Sequence, residues 1–175
     1  GRIGLDIARS NPDVVYAFVD NYEIARDAEE GATDAYGRPR GGIIRGATVF
    51  RSDNGGESWN RTSEYNAYME SVGGTYGWVF GQIRVDPNDE NKIYVMGVQL
   101  HVSEDAGRTF ERVTGTHVDH HGLWIDPSNS EYLVNNNDGG AYVSYDGGEN
   151  WRFFVEIPVV TFFNVNHDMG DPFRV

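Results

Sequence analysis

The chain has 175 residues, which fits one domain, and it contains no cysteine, so disulfide bonds and thiol-based sites are excluded. Its formal net charge of −13 argues against nucleic acid as a partner and against docking on anionic lipid, because both reward Lys and Arg. No apolar run approaches the roughly 18 residues of a membrane span, so direct membrane insertion is not expected.

The chain is rich in glycine (22 residues) and in aromatic residues (13%), a profile typical of short strands joined by tight turns. In chain order, a first unit of four strands is predicted at 3–9, 14–20, 47–52 and 58–63. A second unit follows at 79–86, 92–98, 100–103 and from 109 onward, and a third at 121–126, 131–135, 140–145 and 150–155. The first strand of a fourth unit is predicted at about 160–168.

Three stretches follow one pattern, Ser-x-Asp-x-Gly-x-x-aromatic, at the turn before the last strand of each unit. We assign its positions to Ser52, Asp53, Gly55 and Trp59, to Ser103, Asp105, Gly107 and Phe110, and to Ser144, Asp146, Gly148 and Trp151. Gly tolerates positive φ, Ser and Asp bond nearby backbone N–H groups, and the aromatic ring covers the turn. Fold stability therefore explains every position of the motif.

A second motif ends the first strand of each unit and fixes the repeat length. Its clear copies are 82–87 and 122–127, with weaker copies at 2–6 and 164–168, so that Asp6, Asp86, Asp126 and Asp168 are aligned. Asp86 and Asp126 lie 40 residues apart, a spacing typical of propeller blades.

Two segments fall outside the regular repeat. Residues 21–46 separate the second and third strands of the first unit as a long polar, glycine-rich excursion, which we interpret as a disordered or plain surface flap, with a binding lid as the alternative. Residues 65–78 link the first two units and include Tyr76 and Trp78. Sugar stacking, a protein interface and packing between units all remain open for these aromatic side chains.

The three eight-residue stretches resemble the Asp box, or BNR repeat, which occurs in sialidases, xyloglucan-active glycosidases and the sortilin (VPS10) propeller. Together with residues 82–87, 100–103, 119–127 and 137–140, they resemble most a group of exported bacterial sortilin-like, glycosyl-hydrolase-like proteins. The resemblance implies an all-β partial β-propeller of four-stranded antiparallel blades, about three blades plus the first strand of a fourth, within a longer protein. The blades are expected at about 1–64, 78–115 and 120–156. The resemblance also implies that the protein is located in the periplasm, outside the cell or in the outer envelope.

The resemblance implies that Asp boxes lie at the blade periphery and that ligands bind at the mouth of the central channel. There the third unit departs from the repeat, because it carries His120 and His121 where the second has Phe80 and Gly81. With His117 they form a cluster that could bind zinc, but adjacent strand residues point to opposite faces unless the strand bulges, so no metal is expected.

The turn at 135–140 follows in the same unit and is the second candidate site. Its Asn137 and Asp138 could bind Ca²⁺ or a sugar hydroxyl. A tight turn, which Asn, Asp and Gly favour for backbone reasons, is the alternative.

Two functions follow from these patterns. The favoured one is a non-catalytic interaction module that binds another protein, a subunit of a membrane-associated complex, or the remainder of the same polypeptide closing the ring. The alternative is a section of a glycoside hydrolase acting on polysaccharide, with Asp119, His120, His121 and Asp138 at the channel mouth. Such an enzyme needs two carboxylates across the sugar, and the sequence gives Asp119, Asp138 and Glu70 no pairing. A sialidase would need several Arg residues, but only Arg2 and Arg84 lie on first strands.

Overall fold

The computed structural model describes residues 2–34, 36–72, 81–155 and 170, and these residues form three four-stranded antiparallel sheets, here called blades. Blade 1 contains β1 (Ile3–Ile7), β2 (Val15–Asp27), β3 (Gly42–Ser52) and β4 (Asn60–Arg61). After helix α1 (Ala67–Ser71), blade 2 contains β5 (Gln82–Val85), β6 (Ile93–Met96), β7 (Leu100–Ser103) and β8 (Glu111–Arg112). Blade 3 contains β9 (His120–Asp126), β10 (Asn129–Asn137), β11 (Gly140–Ser144) and β12 (Arg152–Phe153).

The apolar core lies in two seams between the blades. In the first seam, Tyr16, Phe18 and Val49 of blade 1 are buried in one cluster with Ile83 and Val85 of blade 2. The second seam buries the opposite face of blade 2 against blade 3. Because alternate residues of a strand point to opposite faces, blade 2 contributes side chains to both seams. Among the described residues, no helix has the length and apolar character needed to cross a membrane.

The three stretches that resemble the Asp box, called Asp boxes below for short, are local hydrogen-bonded turns, as predicted. In the second box, the buried Ser103 hydroxyl accepts from Gly107 N at 2.9 Å and donates to Asp105 Oδ1 at 2.8 Å. Asp105 Oδ1 in turn accepts from Thr109 N at 2.9 Å. The third box repeats these bonds, and hydrogen bonds from Asn150 lower the pKa of Asp146 to about 2.

The assignment of the first box was wrong at two positions. Asn54, not Asp53, accepts from Ser52 Oγ at 2.9 Å and from Ser58 N at 2.9 Å. The hydroxyl of Ser52 accepts from Gly56 N at 2.9 Å, so Gly56 replaces Gly55 in the pattern. An Asn side-chain oxygen accepts the same bonds as a carboxylate, which explains why the turn is kept.

The alignment of the first strand was also wrong by two residues. Ile7 pairs with Val15 and, through it, with the box serine Ser52. Val85 and Ile125 occupy the equivalent position in blades 2 and 3, in register with the box serines of those blades. Ala8 is therefore the counterpart of Asp86 and Asp126, and Asp6 is not. Asp6 instead accepts a hydrogen bond from Val85 N across the first seam at 2.8 Å.

Residues 21–46 form a β-hairpin rather than a loop or a disordered flap. Strands β2 and β3 continue into this segment, with irregularities in pairing around Ile24, and Thr33 forms a bridge to Pro39. The predicted linker 65–78 contains α1, which the sequence analysis did not predict. Tyr76, Trp78 and the fourth-unit strand at 160–168 lie outside the described residues.

Candidate functional site

A bulge in β9 determines how the two adjacent histidines are placed. Asn136 pairs with Gly122, but its neighbour Asn137 pairs with His120, so His121 is the extra residue. A bulge re-aims side chains that would otherwise alternate strictly. His120 is consequently buried while His121 is half-buried at the surface.

His120 belongs to a buried polar network built on Asn135. Asn135 Nδ2 donates to the carbonyl of Gly122 at 2.9 Å, which leaves Asn135 Oδ1 as an acceptor. That oxygen accepts from Asn137 Nδ2 and lies 2.9 Å from His120 Nδ1, so Nδ1 carries the proton. Burial lowers the pKa of His120, and the bond to Asn135 offsets part of that effect. The imidazole of His120 therefore stays neutral near pH 7, and its bond to Asn135 links β9 to β10 at this end of the blade.

The other predicted side chains gather around the turn between β10 and β11. His121 Nε2 lies 2.9 Å from Asp138 Oδ1, and both side chains reach solvent. The backbone of Asp119 has a left-handed φ of 66°, and its carbonyl accepts from Asp138 N at 3.2 Å. The ring of His117 covers Gly139, where a Cβ would lie 2.5 Å from His117 Cβ.

The structure thus brings His117, Asp119, His120, His121 and Asp138 to one end of blade 3. Among the described residues, no group of three or more His, Asp or Glu side chains is placed to hold a metal ion. Glu70, the third carboxylate considered, lies in the linker and pairs with Arg26 at 3.0 Å, which lowers the pKa of Glu70.

Sequence reasoning missed the buried roles of two residues at this end of the blades, although it had placed Asn135 in the candidate turn at 135–140. His101 of β7 is 6% exposed, and its Nδ1 lies 2.6 Å from the hydroxyl of Tyr68 in α1. Asn135 sits where the repeat has Ala17 and Val95, by the same strand register. A polar residue inside an apolar strand was the available signal in both cases.

Asp20 of β2 is the third missed residue. It is 1% exposed, and neither carboxylate oxygen accepts a hydrogen bond of good geometry from the residues that the structure describes. Burial raises the pKa of Asp20, and the Tyr22 side chain offsets part of that rise. Counting along the paired strands, Asp20 corresponds to Val98 in blade 2 and Asp138 in blade 3.

A cleft of about 300 Å³ opens between blades 2 and 3, away from the histidines. Its lining includes Lys92, Glu104, Arg112, Asp146 and Glu149, from the outer strands and the third Asp box. The predicted site residues do not line this cleft. His121 and Asp138 reach solvent at the blade end, and His120 is buried there.

No protein-family model and no curated protein matches the chain. The GH74 xyloglucanase from Xanthomonas campestris matches 89% of this chain and 23% of its own, with 18% identity and a TM-score of 0.60. The GH74 enzyme from Niastella koreensis matches 86% of this chain and 22% of its own, with 16% identity and a TM-score of 0.55. YCF48 from Cyanidioschyzon merolae covers 86% of this chain and 36% of its own at 15% identity, but its TM-score of 0.45 supports no argument.

The chain therefore spans about a quarter of the length of the enzymes it resembles. Identities this low show the fold alone. Together with the three four-stranded antiparallel sheets, the likeness confirms the predicted fold class, an all-β partial β-propeller.

Proposed function

We propose that this chain is a non-catalytic β-propeller interaction module that binds another protein or subunit in an exported or envelope-associated assembly. The finer resemblance to sortilin-like exported proteins is part of this proposal. The observation that carries it is an apolar stripe on the open face of blade 1, formed by Ile3, Leu5 and Ile7 of β1. All three side chains are more than half exposed, Leu5 to 62%.

The internal repeat identifies this stripe as half of a seam. Leu5 corresponds to Ile83 and Leu123, and Ile7 corresponds to Val85 and Ile125. In blades 2 and 3 these counterparts are all buried, because the preceding blade packs on them. Burial of a Leu or Ile side chain contributes about 1.5–3 kcal/mol, and contiguous exposed apolar surface marks interaction sites. The stripe therefore supports binding to a protein surface.

The side chains at the end of blade 3 favour a structural role over catalysis. His120 is enclosed and bonded to Asn135, whose oxygen also binds Asn137. A glycosidase needs one carboxyl to protonate the leaving group and a second across the sugar as base or nucleophile. Of the carboxylates considered for this site among the described residues, Asp138 is the one bonded to an imidazole, that of His121, and both side chains reach solvent.

The experiment for the interaction function compares two variants of the full-length protein. We expect Leu5→Glu with Ile7→Glu to abolish its complex in sedimentation and cross-linking, and Ile24→Glu, an equally exposed site on the hairpin, to preserve it. Neither change should alter the free energy of unfolding by more than about 0.5 kcal/mol, since the side chains are exposed. A complex that survives the double substitution would contradict the proposal.

The second candidate function is a section of a carbohydrate-active hydrolase, favoured by the 2.9 Å His121–Asp138 pair beside the left-handed Asp119. Strained backbone of this kind occurs at functional sites. Hydrolysis of xyloglucan and other polysaccharides by the full-length protein would test it. If the full-length protein hydrolyses such a polysaccharide, and if Asp138→Asn lowers that activity at least 100-fold with unchanged stability, the hydrolase function is supported in place of the interaction function.

A further inference from the structure

We propose that Tyr68 and His101 form an acid-released latch that fastens helix α1 to blade 2. The proposed latch is a single hydrogen bond across the first seam. The Tyr68 hydroxyl lies 2.6 Å from His101 Nδ1, and the two rings meet edge to face at 5.4 Å. Tyr68 is partly exposed, whereas His101 is enclosed in β7.

Helix α1 is held to blade 1 by contacts that mild acid leaves intact. Its backbone packs directly on β3, since a Cβ at Gly46 would lie 2.4 Å from Met69 O. Arg26 of the hairpin binds both carboxylate oxygens of Glu70. The Glu70 pKa is lowered by that arginine, so this pair stays charged at mildly acid pH. Tyr68 instead makes a polar contact with blade 2.

We assign to His101 the neutral tautomer that carries its proton on Nε2, in which the Tyr68 hydroxyl donates to an unprotonated Nδ1. A phenol is a far weaker acid than an imidazolium, so Tyr68 keeps its own proton. Proton uptake from solvent places a hydrogen on Nδ1, and the phenol can no longer donate there. The bond is then either lost or reversed, with Nδ1–H donating to the phenol oxygen. In both cases the positive charge of the imidazolium is buried.

The surroundings of His101 oppose that charge. Burial, together with the nearby Arg112 and His120, lowers the pKa of His101 to about 4. Glu111 of β8 acts on Tyr68 rather than on the imidazole. Within the part of the chain that the structure describes, no carboxylate is found to offset the imidazolium charge.

The direction of the pH dependence follows from this lowered pKa. The ordinary His value is about 6.5, so the unfastened state binds the proton more readily than the latched one. The latch is fully present above that value and is lost as the pH falls towards 4. Between pH 7.5 and 4.5, the closed-to-open ratio of α1 should fall by up to about 70-fold, the limit reached if His101 regains its ordinary pKa when α1 is released.

Amide hydrogen exchange of residues 67–72, corrected for intrinsic rates, measures that ratio in the whole chain. We expect the wild type to lose between about threefold and 70-fold in protection, and His101→Gln to lose less than about threefold. Tyr68→Phe should have several-fold lower protection already at pH 7.5 and a smaller acid loss than the wild type, because only the hydrogen bond is removed while the burial of His101 remains. His117→Gln, at an exposed ring, should behave as the wild type.

Three results would overturn the latch. One is wild-type protection of α1 that stays within threefold over this range, and another is an acid loss in Tyr68→Phe as large as that of the wild type. The third is an equal acid loss in β5–β8, because that would mean unfolding of blade 2 rather than release of the helix. Tyr68→Phe leaves the buried imidazole in place, so the test holds even where His101→Gln does not fold.

Discussion

Replacement of Asp20 should stabilise the protein at neutral pH, which is unusual for a buried residue. The carboxylate is 1% exposed and lacks a hydrogen-bond partner of good geometry among the described residues. Its backbone N–H donates to Arg2 O at 3.2 Å, a bond that any side chain at this position preserves. The repeat supplies the substitute, because blade 2 carries Val98 at the corresponding place.

The magnitude follows from the cost of burying a carboxylate that the Tyr22 side chain stabilises only in part. An unsatisfied buried polar group costs about 1–3 kcal/mol, and a charged one costs more. Asp20→Asn removes only the charge and should raise the free energy of unfolding at pH 7 by about 1 kcal/mol, whereas Asp20→Val removes the polar group as well and should raise it by about 1–3 kcal/mol. In a chain of this size, each kcal/mol corresponds to about 2–4 °C in Tm.

The pH profile separates this cause from general repacking. Because burial raises the pKa of Asp20, the wild type has its full stability below the ordinary carboxyl pKa of about 3.9. That stability is lost as the pH rises through the folded pKa. The gain in Asp20→Asn should thus be largest at neutral pH and vanish near pH 3.5.

Urea unfolding from pH 3.5 to 7.5 tests this prediction, with Asp138→Asn as the matched control at the exposed counterpart in blade 3. The control should change stability by less than about 1 kcal/mol. If Asp20→Asn loses more than about 1 kcal/mol at pH 7, the carboxylate has a stabilising partner and the reasoning fails.

Two further predictions concern buried hydrogen bonds. Ser103→Ala removes the acceptor of Gly107 N and should lower the free energy of unfolding in urea by about 1–3 kcal/mol at unchanged m-value. The exposed turn substitution Ser128→Ala should change it by less than about 0.5 kcal/mol. Equal effects of the two substitutions would show that the Asp-box bond is not the cause of the destabilisation. Asn135→Leu should cost about 2–5 kcal/mol although the repeat has apolar residues there, because it leaves His120 Nδ1 and Asn137 Nδ2 unpaired. Calorimetry can compare it with the exposed Asn136→Ala, and a loss no greater than in that control would show that the network is not needed for stability.

The sequence predicted the repeat well because the repeat is local. In each Asp box the bonds join residues two to four positions apart, such as Ser144 with Gly148. Residue type and spacing therefore determine the turn. The first box shows the limit of the pattern, because Asp53 has the expected residue type but Asn54 accepts the hydrogen bonds.

The candidate site was predicted less completely. The departure from the repeat drew attention to His117 to His121, which the structure places at one end of blade 3. The 2.9 Å pair of His121 with Asp138 joins two of the predicted residues. The roles of Tyr68 and His101 depend on a contact between residues 33 positions apart, which no local pattern contains. The roles proposed for these groups stay predictions.

By itself, the sequence determined the blade architecture and the turns, since alternating strands and hydrogen-bonded turns depend on neighbouring residues. Only the tertiary structure decided the pairing of β1, the bulge at His121 and the extension of β2 and β3 into a hairpin. It also decided which polar side chains are enclosed. Register and burial arise from packing between strands distant in the chain, where a shift of two residues preserves the alternation and leaves the local pattern unchanged.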